Sequence, residues 1–118
     1  MPYEPIEPMS RGDVEAAVAR GEPEELLRVV LAVALHSEDG SWASAVCLQL
    51  ARHQHFHVRG NAILGLGHVA RRFGRLDPVA RGVIEDGLRD INDYVRGQAE
   101  SAADDAQRFL RWTITRPN

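Results

Sequence analysis

The stretch that decides the fold is VRGNAILGLGHVARRF, residues 58–73. Its apolar residues recur at spacings of three and four over about four helical turns, which is the pattern of an amphipathic helix. They are Val58, Ala62, Ile63, Leu66, Val69, Ala70 and Phe73. Gly74 follows directly and is a typical helix stop. The stretch therefore predicts one long helix with one buried face.

A second copy of this stretch lies downstream. The pentapeptide VRGNA at 58–62 recurs as VRGQA at 95–99, a period of 37 residues. The segment before each copy also has matching apolar positions: Trp42 with Val79, Val46 with Val83, Cys47 with Ile84 and Ala51 with Leu88. A repeat of this length made of paired helices is typical of an α-solenoid.

Helix starts and stops divide the whole chain into six predicted helices that form three pairs. Their approximate bounds are 13–20, 23–36, 42–52, 58–73, 78–91 and 94–112. The predicted fold is all-α, a short right-handed α-solenoid of about three helix pairs in a single domain, 13–112. Residues 1–12 carry three prolines and are expected to form an extended N-terminal arm. Residues 113–118 are expected to form a frayed C-terminal tail.

Composition places the chain among ordinary globular proteins. Its 118 residues suffice for one domain, and 44% of them are hydrophobic. No apolar run is long enough for a transmembrane helix, and the N-terminus lacks the basic and apolar segments of a secretory signal. Cys47, the single cysteine, lies in an apolar run that favours a buried thiol over a catalytic one. These features predict a cytoplasmic protein.

The charges are unevenly distributed around a net charge of −3. Acids concentrate in residues 1–25 and 85–105, whereas residues 52–81 carry six arginines and one aspartate. Arginine suits bidentate pairing with carboxylates, so ion pairs between helices are one interpretation and a polarised binding surface is another. The arginine-rich segment could also bind nucleic acid, but the negative total charge and the lack of interleaved aromatic residues disfavour this.

The repeated unit resembles a HEAT repeat, in which a helix and a short turn precede Val-Arg-x-x-Ala and a run of small residues. The resemblance covers residues 41–112 well and residues 13–36 only by analogy. In that family an aspartate near the end of the first helix and the arginine of the second form a ladder between repeats. Asp90 and Arg96 match these positions in the last repeat, and Arg59 matches in the one before. His53 stands where the earlier aspartate would be.

The fuller string is similar to small, single-domain bacterial HEAT-like proteins. Its parts are CLQLARHxHxHVRGNA, GLGHVARRFGRLD and AxxAADDAQRFL. Several of those proteins resemble immunity proteins, which neutralise a secreted or contact-delivered toxin of sibling cells. The resemblance implies a non-catalytic module that occludes the active face of a cognate toxin and needs no cofactor. A general HEAT-like adaptor or scaffold is the alternative.

In this family the second helix of each pair usually lines the concave side, which suggests a set of partner-binding residues. Together with Trp42 as a candidate interface anchor, they are Asn61, His68, Arg72, Glu100, Asp104 and Asp105. For some of them a structural role is open: Trp42 could fill the core, and His68 could be a packed histidine bonded across repeats. A solvated face is the alternative for the acids.

The other sequence patterns do not indicate a catalytic site or a metal site. His53, His55 and His57 would share one face on a strand and could then bind a metal, but a turn entering a helix scatters their rings. No metal site is therefore predicted. The sequence contains no nucleophile elbow, phosphate loop or Cys-x-x-Cys, so no enzyme is predicted. Gly60, Gly65 and Gly67 fall inside the long helix and indicate close packing.

Overall fold

The structure is a computed structural model that describes residues 5–117. This range is all-helical and contains no strand. Its six helices are α1 Arg11–Arg20, α2 Pro23–His36, α3 Gly40–Leu50, α4 Phe56–Phe73, α5 Val79–Gly87 and α6 Asp93–Leu110. The all-α prediction is confirmed at this level. Across these helices, none combines the length and the hydropathy that a membrane crossing requires.

Several helix ends differ from the prediction, and at two of them short-range hydrogen bonds that override the apolar pattern explain the difference. Ser10 Oγ accepts from the Asp13 N–H at 3.1 Å, so α1 begins at Arg11 and Asp13 is not its N-cap. At the other end of the chain, α5 ends at Gly87 instead of 91, because tight turn bonds follow it. Ile91 is therefore 95% exposed in the turn before α6.

Helix α4 lies at the centre of the packing. It contacts α2 on one side and α6 on the other, and it also contacts α3 and α5. Glycines allow these approaches: a Cβ atom at Gly65 would lie 2.9 Å from Cys47 Sγ, and one at Gly67 would lie 3.0 Å from the Ala102 Cα. The predicted close packing is confirmed. Cys47 itself is fully buried, which raises the pKa of its thiol to about 12, so it stays protonated at neutral pH.

The segments at both ends of the described range, 5–117, contact the helices. In the predicted arm, residues 1–4 lie outside the described residues, but the Ile6 carbonyl accepts from His36 Nε2 at 2.7 Å and Met9 packs on the core. After α6, Ile114 is buried and the Thr115 N–H donates to the Glu85 carboxylate at 2.7 Å. The expectation of a frayed tail was therefore wrong for residues 113–117.

The repeat offers a test of the α4–α6 contact. A Cβ atom at Gly60 would lie 2.9 Å from Tyr94 Cε2, whereas one at Gly97, the equivalent position in α6, has nothing within 4 Å. We expect Gly97→Ala to raise the free energy of unfolding by about 0.5–1 kcal/mol, because alanine restricts the unfolded chain. Gly60→Ala should lower it by about 1 kcal/mol through the clash. Urea denaturation measures both, and equal gains would contradict the close contact.

Candidate partner-binding surface

The turns that precede α4 and α6 are built alike. His53 Nδ1 accepts from the His55 N–H at 3.0 Å, and 37 residues later Asp90 Oδ1 accepts from the Asn92 N–H at 2.9 Å. His55 and Asn92 then accept backbone N–H groups of the helices that follow them. These imidazoles therefore act as turn and helix caps. In the described part of the chain, no three histidine, cysteine or acidic residues are grouped so as to hold a metal ion.

A bidentate ion pair connects the two turns. Arg59 Nε and Nη2 donate to the two carboxylate oxygens of Asp90 at 2.7 and 2.9 Å, and Arg59 Nη1 donates to the carbonyls of His53 and Gln54. The two charged side chains are only 20% and 16% exposed. Hydrogen bonds from Arg59 are the main reason that the pKa of Asp90 is lowered. At Arg59 the structure therefore supports the interpretation of the arginine charges as ion pairs between helices.

Arg96 repeats half of this arrangement. Its Nη1 donates to the carbonyls of Asp90 and Ile91 at 2.8 and 3.0 Å, the same two turn positions that Arg59 uses 37 residues earlier. Arg96 thus donates to carbonyls of the turn that precedes its own helix, α6. Arg59 donates in the same way to the turn before α4 and also to Asp90 in the turn before α6.

Asn61 lies inside the contact between α4 and α6 and is only 8% exposed. The Tyr94 hydroxyl donates to Asn61 Oδ1 at 2.5 Å, and Gln98 Nε2 donates to the same hydroxyl at 2.8 Å. Asn61 therefore holds the Tyr94 side chain in place. Its own atoms have little surface to present to a partner.

His68 and Asp105 meet where α4 and α6 run side by side. Arg71 Nη2 donates to His68 Nδ1 at 3.0 Å, and the Asp105 carboxylate lies against Gly67. Burial, and then the charge of Arg71, lowers the pKa of His68, while the charge of Asp105 opposes this. The imidazole is therefore neutral at pH 7. Of the predicted site residues, these two form a half-exposed polar cluster.

The side chains of Arg72 and Trp42 contact other groups than the cluster of His68 and Asp105. Arg72 donates to the carbonyls of Ala34 and Ser37 at 2.9 and 2.7 Å, so its guanidinium ties α4 to the C-terminal end of α2. Trp42 lies in a groove of about 450 Å³ lined by side chains of α1 and α3. The Arg11 guanidinium lies 4.8 Å from the centre of its ring. Arg72 lies one helical turn after His68 on α4, but its guanidinium is bonded to α2 and the residue that follows it, and Trp42 lies on α3.

Glu100 occupies a position that is apolar in α4. Its equivalent 37 residues earlier is Ile63, which is 2% exposed and reaches Gly87 of α5. Glu100 is exposed, whereas α5, the helix that follows α4, covers Ile63. A polar side chain at this position of α6 therefore lies in contact with water.

The three acids of α6 that were predicted as site residues do not share one surface. Asp104 pairs with Arg116 of the tail at 2.8 Å, and successive helical residues point about 100° apart, which turns Asp105 towards α4. The partner-binding role of Glu100 and Asp104 stays a prediction.

The arginine-rich segment 52–81 is mostly engaged within the protein. Arg59 and Arg72 donate to groups of neighbouring turns and helices, Arg71 bonds to His68, and Arg81 Nε lies 3.5 Å from the Glu85 carboxylate. Guanidinium groups that are already hydrogen-bonded contribute less to phosphate binding. The interpretation of this segment as a nucleic-acid surface loses support accordingly.

A cluster of rings at the N-terminal ends of α4 and α6 was missed by the sequence analysis. We call it the aromatic rim: His55, Phe56, His57 and Tyr94. The Phe56 ring lies 5.2 Å from that of His55 and 6.0 Å from that of Tyr94, and His57 and Tyr94 meet edge to face at 4.8 Å. Phe56 is 41% exposed. The 37-residue register aligns His57 with Tyr94 and could have revealed the cluster.

Acidic residues flank the aromatic rim. Glu22, Glu24 and Glu25, at the N-terminal end of α2, line a groove of about 680 Å³ together with His55. Glu25 is paired with Arg20 at 2.6 Å, but Glu22 and Glu24 make no ion pair with any residue in 5–117. The groove therefore joins the exposed His55 ring of the rim to two carboxylates that make no ion pair within residues 5–117.

Comparisons with known proteins add one finding. No protein-family model matches the sequence, and no curated protein matches it. Among solved structures, a chain in a crystal structure of a CDI (contact-dependent growth inhibition) complex from Cupriavidus taiwanensis LMG 19424 has the same fold. The likeness spans almost the whole of both chains. It covers 92% of this chain and 97% of that one, with a TM-score of 0.78 and 25% sequence identity.

Proposed function

We propose that this chain is an immunity protein that binds the toxin domain of a contact-dependent growth inhibition system and occludes its active face without catalysis. The observation that carries the proposal is the likeness over 92% of the chain to a component of a CDI complex. The hydrogen bonds of His53, His55, Arg59 and Asp90 support the non-catalytic part of the proposal. These side chains, which are of types that often serve in catalysis, hold turns together in this protein. The protein would act in the cytoplasm, where a delivered toxin has its targets.

The proposed architecture is a short right-handed solenoid of HEAT-like units, with α1–α2, α3–α4 and α5–α6 as its three helix pairs. Two observations support this: the turns before α4 and α6 share their hydrogen bonds, and α4 lies between α2 and α6. The solenoid domain, expected over 13–112, would also include residues 11 and 12 because α1 begins at Arg11; the arm would precede it and the tail, 113–118, would follow it.

The proposed partner surface lies on the side of α4 and α6 that carries His68, Asp105 and the aromatic rim. Rigid aromatic side chains are frequent hot spots in protein interfaces, and a surface that is ordered before binding loses little conformational entropy. Charged groups such as Asp105 would steer the encounter and fix the register of the complex.

A growth assay tests the function. The chain is expressed alone, and together with the toxin domain encoded by the neighbouring gene, in sensitive bacteria. We expect the chain alone to leave growth unchanged and co-expression to restore the growth of toxin-producing cells. Growth inhibition by the chain alone would identify it as the toxic component and overturn the proposal. An adaptor with no toxin partner would give no protection.

Alanine variants test the surface. Asp105→Ala is expected to weaken the complex about tenfold or more, because it removes a half-buried charge from the centre of the proposed surface. The double variant Glu100→Ala/Asp104→Ala removes two exposed charges and should weaken the complex less, by about threefold. Isothermal titration with the purified toxin domain measures both. The reverse ranking would place the interface on the Glu100 face.

A further inference from the structure

We propose that the aromatic rim, together with Glu22 and Glu24, binds an arginine-bearing segment of the protein partner. This inference rests on the proposed function and adds to it the chemistry of one contact. The rim lies beyond the residues that the sequence analysis assigned to the partner surface. It combines exposed rings with carboxylates that lack a partner among the described residues.

The rim is ordered without a partner. Asn61 and Gln98 hold the Tyr94 hydroxyl at 2.5 and 2.8 Å, and the Tyr94 ring packs against Gly60, where no side chain separates the helices. His55 Nδ1 accepts from the His57 N–H at 3.2 Å, which fixes the ring at the start of α4. A partner would therefore meet a preformed surface and would not have to order it.

The chemistry of the rim favours a guanidinium group. A planar guanidinium can stack on an exposed ring and at the same time donate in a fork to a carboxylate, which an ammonium group cannot do. Elsewhere in this protein arginines lie over Trp42, Phe73 and Phe109 at 4.8, 4.7 and 5.4 Å. At the rim, the rings and the acids Glu22 and Glu24 are present, and the partner would supply the arginine.

The experiment follows the ¹H–¹⁵N spectrum of the full chain during titration with the blocked peptide Gly-Arg-Gly-Arg-Gly. We expect shifts confined to residues 22–25, 55–57 and 94. The same peptide with lysine should bind more weakly, by about threefold or more, because ammonium groups stack less well. Shifts spread over all acidic residues in proportion to charge would show unspecific attraction and overturn the inference.

Matched variants separate the rim from general electrostatics. Phe56→Ala, and separately Glu22→Gln/Glu24→Gln, should each raise the dissociation constant of the arginine peptide about fivefold. The control Glu100→Gln/Asp104→Asn removes the same amount of charge outside the aromatic rim. It should change the dissociation constant of the arginine peptide less than about twofold. Equal losses in both double variants would contradict the proposal. Toxin protection that persists in Phe56→Ala with unchanged toxin affinity would refute this contact and leave the immunity function standing.

Discussion

Replacing Arg59 with alanine is expected to lower the free energy of unfolding by about 3 kcal/mol. The substitution removes a bidentate bond to Asp90 and two bonds to turn carbonyls, and it leaves a largely buried carboxylate without its partner. Breaking a fully buried ion pair costs about 3–5 kcal/mol, and the remaining exposure of these side chains places the loss at the lower end. Urea denaturation monitored by circular dichroism measures it.

The repeat supplies the control for this variant. Arg96→Ala removes bonds to the same two turn positions but not the bidentate pair, so its cost should be about 1–1.5 kcal/mol. A double-mutant cycle of Arg59→Ala and Asp90→Ala should give a coupling free energy of about 1–2 kcal/mol. Equal losses for Arg59→Ala and Arg96→Ala, or a coupling near zero, would show that the ion pair does not connect the helix pairs.

The pH dependence provides a second readout of the same pair. The pKa of Asp90 in the folded protein is lower than its ordinary value of 3.8, mainly because Arg59 donates to its charged form. A carboxyl group of this kind stabilises the fold above its unfolded pKa, and the contribution disappears as the pH falls through the folded pKa. The stability difference between wild type and Arg59→Ala should therefore be constant near neutral pH and shrink below about pH 4.

Ile63→Ala should be comparably damaging, with a loss of about 3 kcal/mol. Ile63 is 2% exposed and its Cδ1 atom lies against Gly87, so the shorter side chain leaves a cavity between α4 and α5. Isoleucine-to-alanine substitutions in a packed core cost about 2–5 kcal/mol, which combines lost transfer free energy with the cavity.

Glu100→Ala is the matched control for Ile63→Ala, since Glu100 holds the same position in the last helix but faces solvent. We expect a change within about 0.5 kcal/mol. Chemical denaturation of both variants at pH 7 provides the comparison. A large loss for Glu100→Ala would mean that the end of the stack is covered, and a small loss for Ile63→Ala would contradict the packing of α4 on α5.

The candidate surface was predictable only in part. His68 and Asp105 were found because they lie on the second helix of their pairs, and the structure places them together. Asn61 and Arg72 were chosen by the same rule, yet their polar atoms bond to neighbouring helices. Periodicity shows which side of a helix is polar, but it does not show which polar groups are consumed by a neighbouring element.

The six helices follow from the chain itself, and so does an ion pair that engages Arg59. Local spacing, caps and a 37-residue repeat are sufficient for them, because they depend on neighbours in sequence or on the repeat register. Only the tertiary structure decided that the tail packs at Ile114, that Glu100 is exposed where Ile63 is buried, and that four rings meet at the rim. These features depend on which helix lies beside which, and equivalent positions in α4 and α6 have different neighbouring helices.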